Sequence, residues 1–284
     1  MTHSQVSTNP HLAYTISPVV LVKNLWRNRQ IIAQMTRREV AGRYKGSALG
    51  LMWSLFNPIL MLIVYTFVFS EIFKARWGGA GGDDSKTQFA VVLFVGIIVL
   101  NLFCDVINRA PTLIIANANF VKKVIFPVEV LSLVTVFAAL FNSLINIAVL
   151  LVALLVFNGN IPWTAIFIPF VILPLVTLML GMSWFLASLG VFIRDVGQTV
   201  TIITTVLMFL SPVFYPLDAV PERFRQFILL NPLTFIIEQS RAVLIWGSLP
   251  DWKGLLVYFA ASAVVAFVGY VWFQKTRKGF ADVL

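Results

Sequence analysis

The sequence has little charge and long apolar runs. Asp, Glu, Lys and Arg make up only 12% of the 284 residues, whereas hydrophobic residues make up 59%. A water-soluble domain has no use for so much apolar sequence. Apolar runs of about 18 residues or more recur along the chain, and a helix of that length can cross the hydrocarbon core of a bilayer. The composition therefore predicts an all-α, polytopic membrane protein.

Cysteine and histidine are scarce, which limits the kinds of site that the chain can form. The single cysteine, Cys104, lies in an apolar run, so we expect neither an intrachain disulfide nor a cysteine-rich metal site. His3 and His11 lie in a polar tail, residues 1–17, without the apolar core of a cleaved signal peptide. We predict no bound metal.

The sequence also lacks the motifs of common catalytic sites. It contains no GxxxxGKS/T phosphate loop and no HExxH pair. The carboxylates near the apolar runs lie in separate segments, at Asp105, Glu129, Asp195 and Glu238. No run of charges inside the spans marks an ion-coupled transporter. We therefore predict no catalytic residue and no cofactor in this chain, and any transport must be powered by a partner protein.

The apolar runs divide the chain, residues 1–284, into six predicted spans of one transmembrane domain. They cover about residues 51–73, 89–107, 130–157, 163–193, 199–214 and 254–273. Residues 18–34 are too short and too charged to span, and they fit an amphipathic helix on the membrane surface or, alternatively, a solvated helix. For residues 215–253 we predict two short helices that enter the outer leaflet and return. A surface loop with one amphipathic helix is the alternative there.

The distribution of basic residues predicts the orientation. Fourteen of the 21 Lys and Arg residues fall on the side of the predicted spans that holds both termini. Because basic loops stay in the cytoplasm, both termini are predicted to be cytoplasmic. The net charge of +9 clusters beside the spans, so it indicates membrane orientation and not a nucleic-acid partner.

Aromatic residues are abundant, with 25 Phe and 8 Trp. Tyr65, Phe69 and Phe73 recur every fourth residue and so share one face of span one. Phe209 and Tyr215 lie near the outer end of span five. Aromatic faces suit the C–H faces of sugar rings, so these five residues are predicted to bind substrate. A lipid-facing or interfacial position is the alternative for each of them.

Several stretches, in the same order, resemble those of one known family. GRYKGSALGLMWSLFNP (42–58) resembles the start of its first span, and NANFVKKVIFPVEVL (117–131) its cytoplasmic loop between spans two and three. FIRDVGQTV (192–200) resembles its turn before span five, and LSPVFYPLDAVP with NPLTFIIEQSRAVL (210–221 and 231–244) its outer-side signature. The family is that of polysaccharide-exporting ABC permeases of the type-2 class. The chain most resembles its O-antigen (lipopolysaccharide) exporters, with capsule and teichoic acid exporters as close relatives.

The resemblance implies partners and a substrate. It implies a homodimer in the bacterial inner membrane, bound to two separate ATP-binding cassette subunits that hold ATP and Mg²⁺ and carry out the hydrolysis. The substrate would be an undecaprenyl-diphosphate-linked polysaccharide, moved from cytoplasm to periplasm through a channel at the dimer interface. Arg38, Arg43 and Lys45 would then lie at the depth of the diphosphate, which arginine can bind bidentately. Orientation and contact with lipid headgroups are the alternative role for these cations.

The resemblance also implies roles for two segments. Residues 108–129 would dock on the ATPase, and residues 215–253 would form an outer gate. The expected coupling residues are Asn117, Asn119, Phe120, Lys122, Lys123, Phe126 and Pro127.

Two other functions stay open at the level of sequence. A membrane-embedded transferase acting on lipid-linked sugars would need a carboxylate or histidine constellation, and none is visible. A small-molecule exporter of the same permease class is the second alternative, although the aromatic content favours a polysaccharide.

Overall fold

The computed structural model describes residues 18–43, 45–47, 49–50, 52–72, 86–121 and 126–284. Helices account for the regular structure of these residues, and no strand occurs among them. The predicted all-α class is therefore confirmed.

Thirteen α-helices occur in the described ranges. They are α1 (Pro18–Arg27), α2 (Arg29–Arg43), α3 (Met52–Thr66), α4 (Lys86–Ile107), α5 (Leu113–Ala116), α6 (Ala118–Val121), α7 (Val130–Asn158), α8 (Ile168–Phe192), α9 (Val196–Leu210), α10 (Glu222–Leu229), α11 (Pro232–Leu244), α12 (Trp252–Thr276) and α13 (Phe280–Val283). A π-helical turn, Phe67–Ile72, extends α3. Short 3₁₀ turns precede α5, α8, α10 and α13.

Five helical segments in these ranges are long and apolar enough to cross a membrane. They are Met52–Phe69, Gln88–Ala116, Val130–Phe157, Trp163–Phe192 and Trp252–Gly279. They correspond to predicted spans one to four and six.

Predicted span five, 199–214, lies nearer the N-terminus than expected, as helix α9 at Val196–Leu210. Helix α9 has 15 residues, so it is about 22 Å long against a hydrocarbon core of about 30 Å. It ends at Leu210 and not at 214, because Pro212 pushes Ser211 into an extended conformation (φ −89°, ψ 144°). After this turn, α10 and α11 form an apolar pair bent by 92°.

The amphipathic segment near the N-terminus also differs from its prediction. It forms two helices in place of one, and the second continues to Arg43, nine residues beyond the predicted end at 34. Val22 and Trp26 on α1 are exposed, whereas Ile32 on α2 is buried. Ile32 packs in a cluster that contains Leu131 and Trp184. Tertiary packing against this cluster extends a helix whose own sequence is only weakly apolar.

Helix α4 lies at the centre of the fold. Almost all of its side chains from Phe89 to Ile107 are buried. Helices α8 and α12 pack at close range through glycines: a Cβ on Gly181 would lie 2.5 Å from the Cα of Ala266, and one on Gly269 would lie 2.1 Å from the carbonyl oxygen of Gly181. Small residues allow such backbone approach between helices in a membrane.

A buried arginine fixes the bent pair to the central helix. Arg241 on α11 is fully buried. Its Nε donates to the carbonyl of Val92 on α4 at 3.2 Å, and its Nη2 donates to the carbonyl of Val213 at 3.1 Å. Its Nη1 also pairs with Glu238 at 2.8 Å. These bonds set the position of α11 relative to α4 and to the loop after α9.

Candidate functional site

A polar cavity of about 620 Å³ lies among α3, α4 and α7. Its apolar lining consists of Trp53, Pro58, Ile98, Leu102, Cys104 and Ala139. Its polar lining consists of Arg43, Ser54, Asn57, Asn101, Asp105, Asn108, Arg109, Asn142, Ser143 and Asn146. Such a density of amides is unusual between apolar spans, where polar groups are expensive and mark functional sites.

Helical periodicity brings the polar residues together. On α4, Asn101 and Asp105 are four residues apart and so share a face. Within the buried stretch of α4, only Asn101, Cys104 and Asp105 are not buried, and all three line the cavity. Asn142 and Asn146 repeat the same spacing on α7. The cavity is therefore the place where the polar faces of two otherwise apolar helices meet.

Helix α3 closes the cavity with Ser54, Asn57 and Pro58. Pro58 lies inside α3 and does not end it. It has no N–H to donate to the carbonyl of Ser54, so the usual helical hydrogen bond is absent at this turn. Such a backbone group is tolerated in a membrane where it faces protein or a polar cavity.

Two ion pairs join α2 to the region where α4 ends. The guanidinium of Arg43 contacts Asp105 through two bonds, Nη1–Oδ2 at 2.7 Å and Nη2–Oδ1 at 3.2 Å. Arg109, just beyond α4, pairs with Glu39 on α2. Arg43, Asp105 and Arg109 line the cavity. This end of the cavity therefore holds charged side chains, and each arginine there is paired with a carboxylate.

Several of the amides have no protein partner. Asn108 accepts a hydrogen bond from the hydroxyl of Thr204 at 2.8 Å. The side chains of Asn57, Asn101 and Asn146, by contrast, make no hydrogen bond within the part of the chain that the structure describes. Asn57 and Asn101 are exposed and Asn146 is half-buried, so their donors and acceptors are open to water or to a ligand.

The three predicted diphosphate contacts lie in different places. Arg43 lines the cavity. Arg38 lines a separate pocket of about 80 Å³, together with Glu39, Asn117 and Phe120. Lys45 is exposed in the turn after α2. The structure therefore brings only Arg43 to the polar cavity.

None of the described members of the predicted aromatic set lines that cavity. Tyr65 and Phe69 are half-buried against the core, and Phe69 stacks on Phe89 and Phe214 with centroid distances of 5.5 and 6.3 Å. Phe209 is exposed on α9. Phe73 lies outside the described residues.

Tyr215 caps the end of α9. Its hydroxyl donates to the carbonyl of Phe209 at 3.0 Å. Partial burial raises the pKa of the Tyr215 phenol above its ordinary value, so this hydroxyl stays protonated at neutral pH. Because its one hydrogen is donated to Phe209, this oxygen can act toward a ligand only as an acceptor.

Three of the seven predicted coupling residues, Asn117, Asn119 and Phe120, lie on α6 or directly before it. Asn117 precedes α6, and its amide donates to the carbonyl of Leu113 at 2.9 Å. Asn119, on α6, is exposed. The rings of Phe120 and Phe126 are 4.9 Å apart, and Pro127 follows Phe126. Lys122 and Lys123 lie outside the described residues.

Arg277, directly after α12, contacts the end of the predicted coupling segment. Arg277 pairs with the buried Glu129 at 3.1 Å and donates to the carbonyl of Phe126 at 3.3 Å. No local pattern in the sequence indicates this pair, because its members are 148 residues apart.

Sequence reasoning missed the main lining of the cavity. It did not select Trp53 or the amides, although a signal was present: Asn101 with Asp105, and Asn142 with Asn146, stand at a spacing of four inside apolar runs. Asp105 was considered only as a catalytic carboxylate. The partners of Arg43 and Arg109 could not be found from periodicity, because they lie 62 and 70 residues away.

Long apolar helices around a polar cavity define a polytopic α-helical membrane protein. The chain belongs to the ABC-2 type transporter family, whose profile matches residues 30–245.

Curated relatives cover nearly the whole chain. It is 26% identical over 264 residues, 92% of the chain and 98% of the relative, to the O-antigen export system permease protein RfbA of Myxococcus xanthus. A protein of the same name from Klebsiella pneumoniae is 26% identical over 89% of the chain and 95% of its own length. The polysialic acid transport protein KpsM of Escherichia coli is 24% identical over 85% of the chain and 91% of its own length.

Proposed function

We propose that this chain is the transmembrane permease subunit of an ATP-driven exporter that moves an undecaprenyl-diphosphate-linked polysaccharide, of the O-antigen type, across the inner membrane. Family membership supports the transporter class. The names of the similar proteins, which export O-antigen and polysialic acid, support the polysaccharide. Capsule or teichoic acid export is the neighbouring alternative for the same machinery.

The observation that carries the proposal is the position of Arg43. Its guanidinium lies at a polar cavity among the spans and already holds the two oxygens of Asp105. A phosphate presents the same pair of oxygens, and arginine binds both groups with the same fork geometry. We propose that the lipid diphosphate takes the place of Asp105 on Arg43, while Arg38 and Lys45 attract it to this region of the membrane surface.

ATP hydrolysis is assigned to separate subunits. Two chains of this protein would pair with two ATP-binding cassette subunits, which hold ATP and Mg²⁺. The exposed Asn119, together with Phe120, Phe126 and Pro127, is proposed to dock on them. The Arg277–Glu129 pair supports this role, because a segment that transmits force must be fixed to a long helix.

The orientation and the outer path are proposed from charge and from the aromatic residues. Both termini lie in the cytoplasm, following the excess of basic residues on that side. The glycan then leaves past Phe209, Tyr215 and the half-buried Tyr65 and Phe69, with α10 and α11 as a gate. The exposure of Phe209 supports such contacts.

A deletion strain tests the function directly. Loss of this chain should cause undecaprenyl-linked glycan to accumulate at the cytoplasmic face, and restoring the gene should clear it. The purified chain should show no ATPase activity alone and should stimulate the activity of its partner. Combined replacement of Arg38, Arg43 and Lys45 by glutamine should stop export while membrane insertion remains normal. Unchanged glycan export in the deletion strain would refute the proposed function.

A further inference from the structure

We propose that the cavity among α3, α4 and α7 binds the sugar residues next to the lipid diphosphate, with Asn57, Asn101 and Asn146 hydrogen-bonding to sugar hydroxyls and Trp53 packing against a ring face. The inference rests on the proposed function, because it assigns to the cavity the headgroup of that same substrate. It adds a recognition site separate from the aromatic residues near the outer side.

The first argument is the hydrogen-bonding capacity that the protein leaves unused. The amides of Asn57, Asn101 and Asn146 face the cavity and make no hydrogen bond within the described residues. Each amide offers two donor hydrogens and one acceptor oxygen. Polar side chains on membrane spans are rare and mark functional sites, and a ligand rich in hydroxyls satisfies both the donors and the acceptor.

The second argument is charge. The middle of the cavity is lined by neutral amides and hydroxyls, while its charged members are neutralised by the Arg43–Asp105 and Arg109–Glu39 pairs. The described residues contain no group of three or more His, Cys, Asp or Glu side chains that could hold a metal ion. The middle of the cavity therefore suits neutral, polar sugars, while the phosphate is placed at the charged end that holds Arg43.

The third argument is the presence of an aromatic ring at the same site. Trp53 lines the cavity and is 42% exposed. Phe56 contacts its ring edge-to-face at 6.2 Å, which restricts its orientation. An indole offers a flat apolar face together with one N–H donor. A sugar ring presents complementary groups, namely C–H bonds on its faces and hydroxyls at its edge.

The fourth argument is size and continuity. A volume of about 620 Å³ lies within the usual range of ligand sites, about 300–1,000 Å³. Arg43 lines this same cavity. A headgroup whose phosphate binds Arg43 therefore places its first sugars beside the amides.

Two lipid probes separate the sugar from the phosphate. Full-length protein in nanodiscs is titrated with farnesyl diphosphate and with farnesyl-diphosphate-linked N-acetylglucosamine. We expect the wild type to bind the sugar-bearing probe more tightly. Asn101→Leu and Asn146→Leu should each weaken its binding about fivefold, as expected for the loss of one hydrogen bond, and leave the sugar-free probe unaffected. Thr177→Val on α8, away from the cavity, is the matched control and should change neither affinity.

Thermal stability distinguishes ligand binding from a structural role. Because these amides have no protein partner in the described structure, their replacement by leucine should leave the melting temperature unchanged or raise it. A lower melting temperature together with unchanged sugar preference would overturn the inference.

Equal affinity of the wild type for the two probes would overturn the sugar site while the proposed function stands. If neither probe bound, both this inference and the proposed diphosphate site would fail. Selective loss of the sugar preference in the leucine variants would support the inference.

Discussion

The most informative prediction is that neutralising Arg43 and neutralising Asp105 change phosphate binding in opposite directions. In the structure, Asp105 occupies both fork positions of the Arg43 guanidinium, at 2.7 and 3.2 Å. If a lipid phosphate binds there, the carboxylate is its competitor. Removing the charge of Asp105 should therefore strengthen anion binding, whereas removing that of Arg43 should weaken it.

The magnitude follows from the partial exposure of the pair. The Arg43 and Asp105 side chains are 21% and 28% exposed, so solvent screens them, and an interaction of about 1 kcal/mol is reasonable. Asp105→Asn should then increase the affinity for farnesyl diphosphate about fivefold. Arg43→Gln loses a charged hydrogen bond of about 1.5–3 kcal/mol and should decrease it at least tenfold.

Titration of nanodisc-embedded protein with farnesyl diphosphate measures both effects. Neutralising Glu39 by Glu39→Gln is a useful comparison, because it frees Arg109 in the neighbouring pair and leaves the Arg43–Asp105 pair intact. The double variant Arg43→Gln/Asp105→Asn should bind as weakly as Arg43→Gln alone. If Asp105→Asn weakened binding as much as Arg43→Gln, the pair would be purely structural and the exchange mechanism would be wrong.

Three further predictions, made with four substitutions, test the framework around the site. Gly181→Ala places a Cβ 2.5 Å from the Cα of Ala266 and should destabilise the α8–α12 contact by about 1–3 kcal/mol, seen as a lower melting temperature in detergent. Gly42→Ala, which meets no atom within 4 Å, should be neutral or stabilising, and similar losses in both variants would contradict the packing argument. Arg241→Met should release α11 and increase proteolysis after α9, since it leaves the buried carbonyls of Val92 and Val213 without their donor, at a cost of about 1–3 kcal/mol each. An unchanged cleavage pattern would show that apolar packing alone holds this helix. Arg277→Gln leaves Glu129 buried without its partner and should reduce stimulation of the ATPase more than it reduces binding of the lipid probe; an equal loss of both would indicate general unfolding.

More of the fold than of the candidate site could be predicted from the sequence. The apolar runs correctly indicated the all-α class and the five long helices, because the free energy of placing a segment in a bilayer depends on local composition. Helix ends were less accurate: α2 runs on to Arg43, because Glu39 and Arg43 pair with residues distant in sequence. By contrast, Pro212 ends α9 early through a local effect that sequence alone could have indicated.

Most of the candidate site could not be predicted from the sequence, because its residues come together only through tertiary contacts. Arg43 was selected from its position before span one, and the structure brings it to the polar cavity. Arg38 lies in another pocket, and Phe69 packs on Phe89 within the core. A helical stripe indicates which residues share a face, but it does not indicate what that face contacts.

The sequence by itself determined that this chain is helical, crosses a membrane and contains no nucleotide-binding motif. Hydrophobicity, charge distribution and motif spacing are properties of contiguous segments, so no folding is needed to evaluate them. Only the tertiary structure decided that Asn57, Asn101 and Asn146, from three different helices, face one cavity, and that Asp105 neutralises Arg43 across 62 residues of chain. Side-chain pairing of this kind depends on how the helices are rotated and packed, and that is set by the whole core at once.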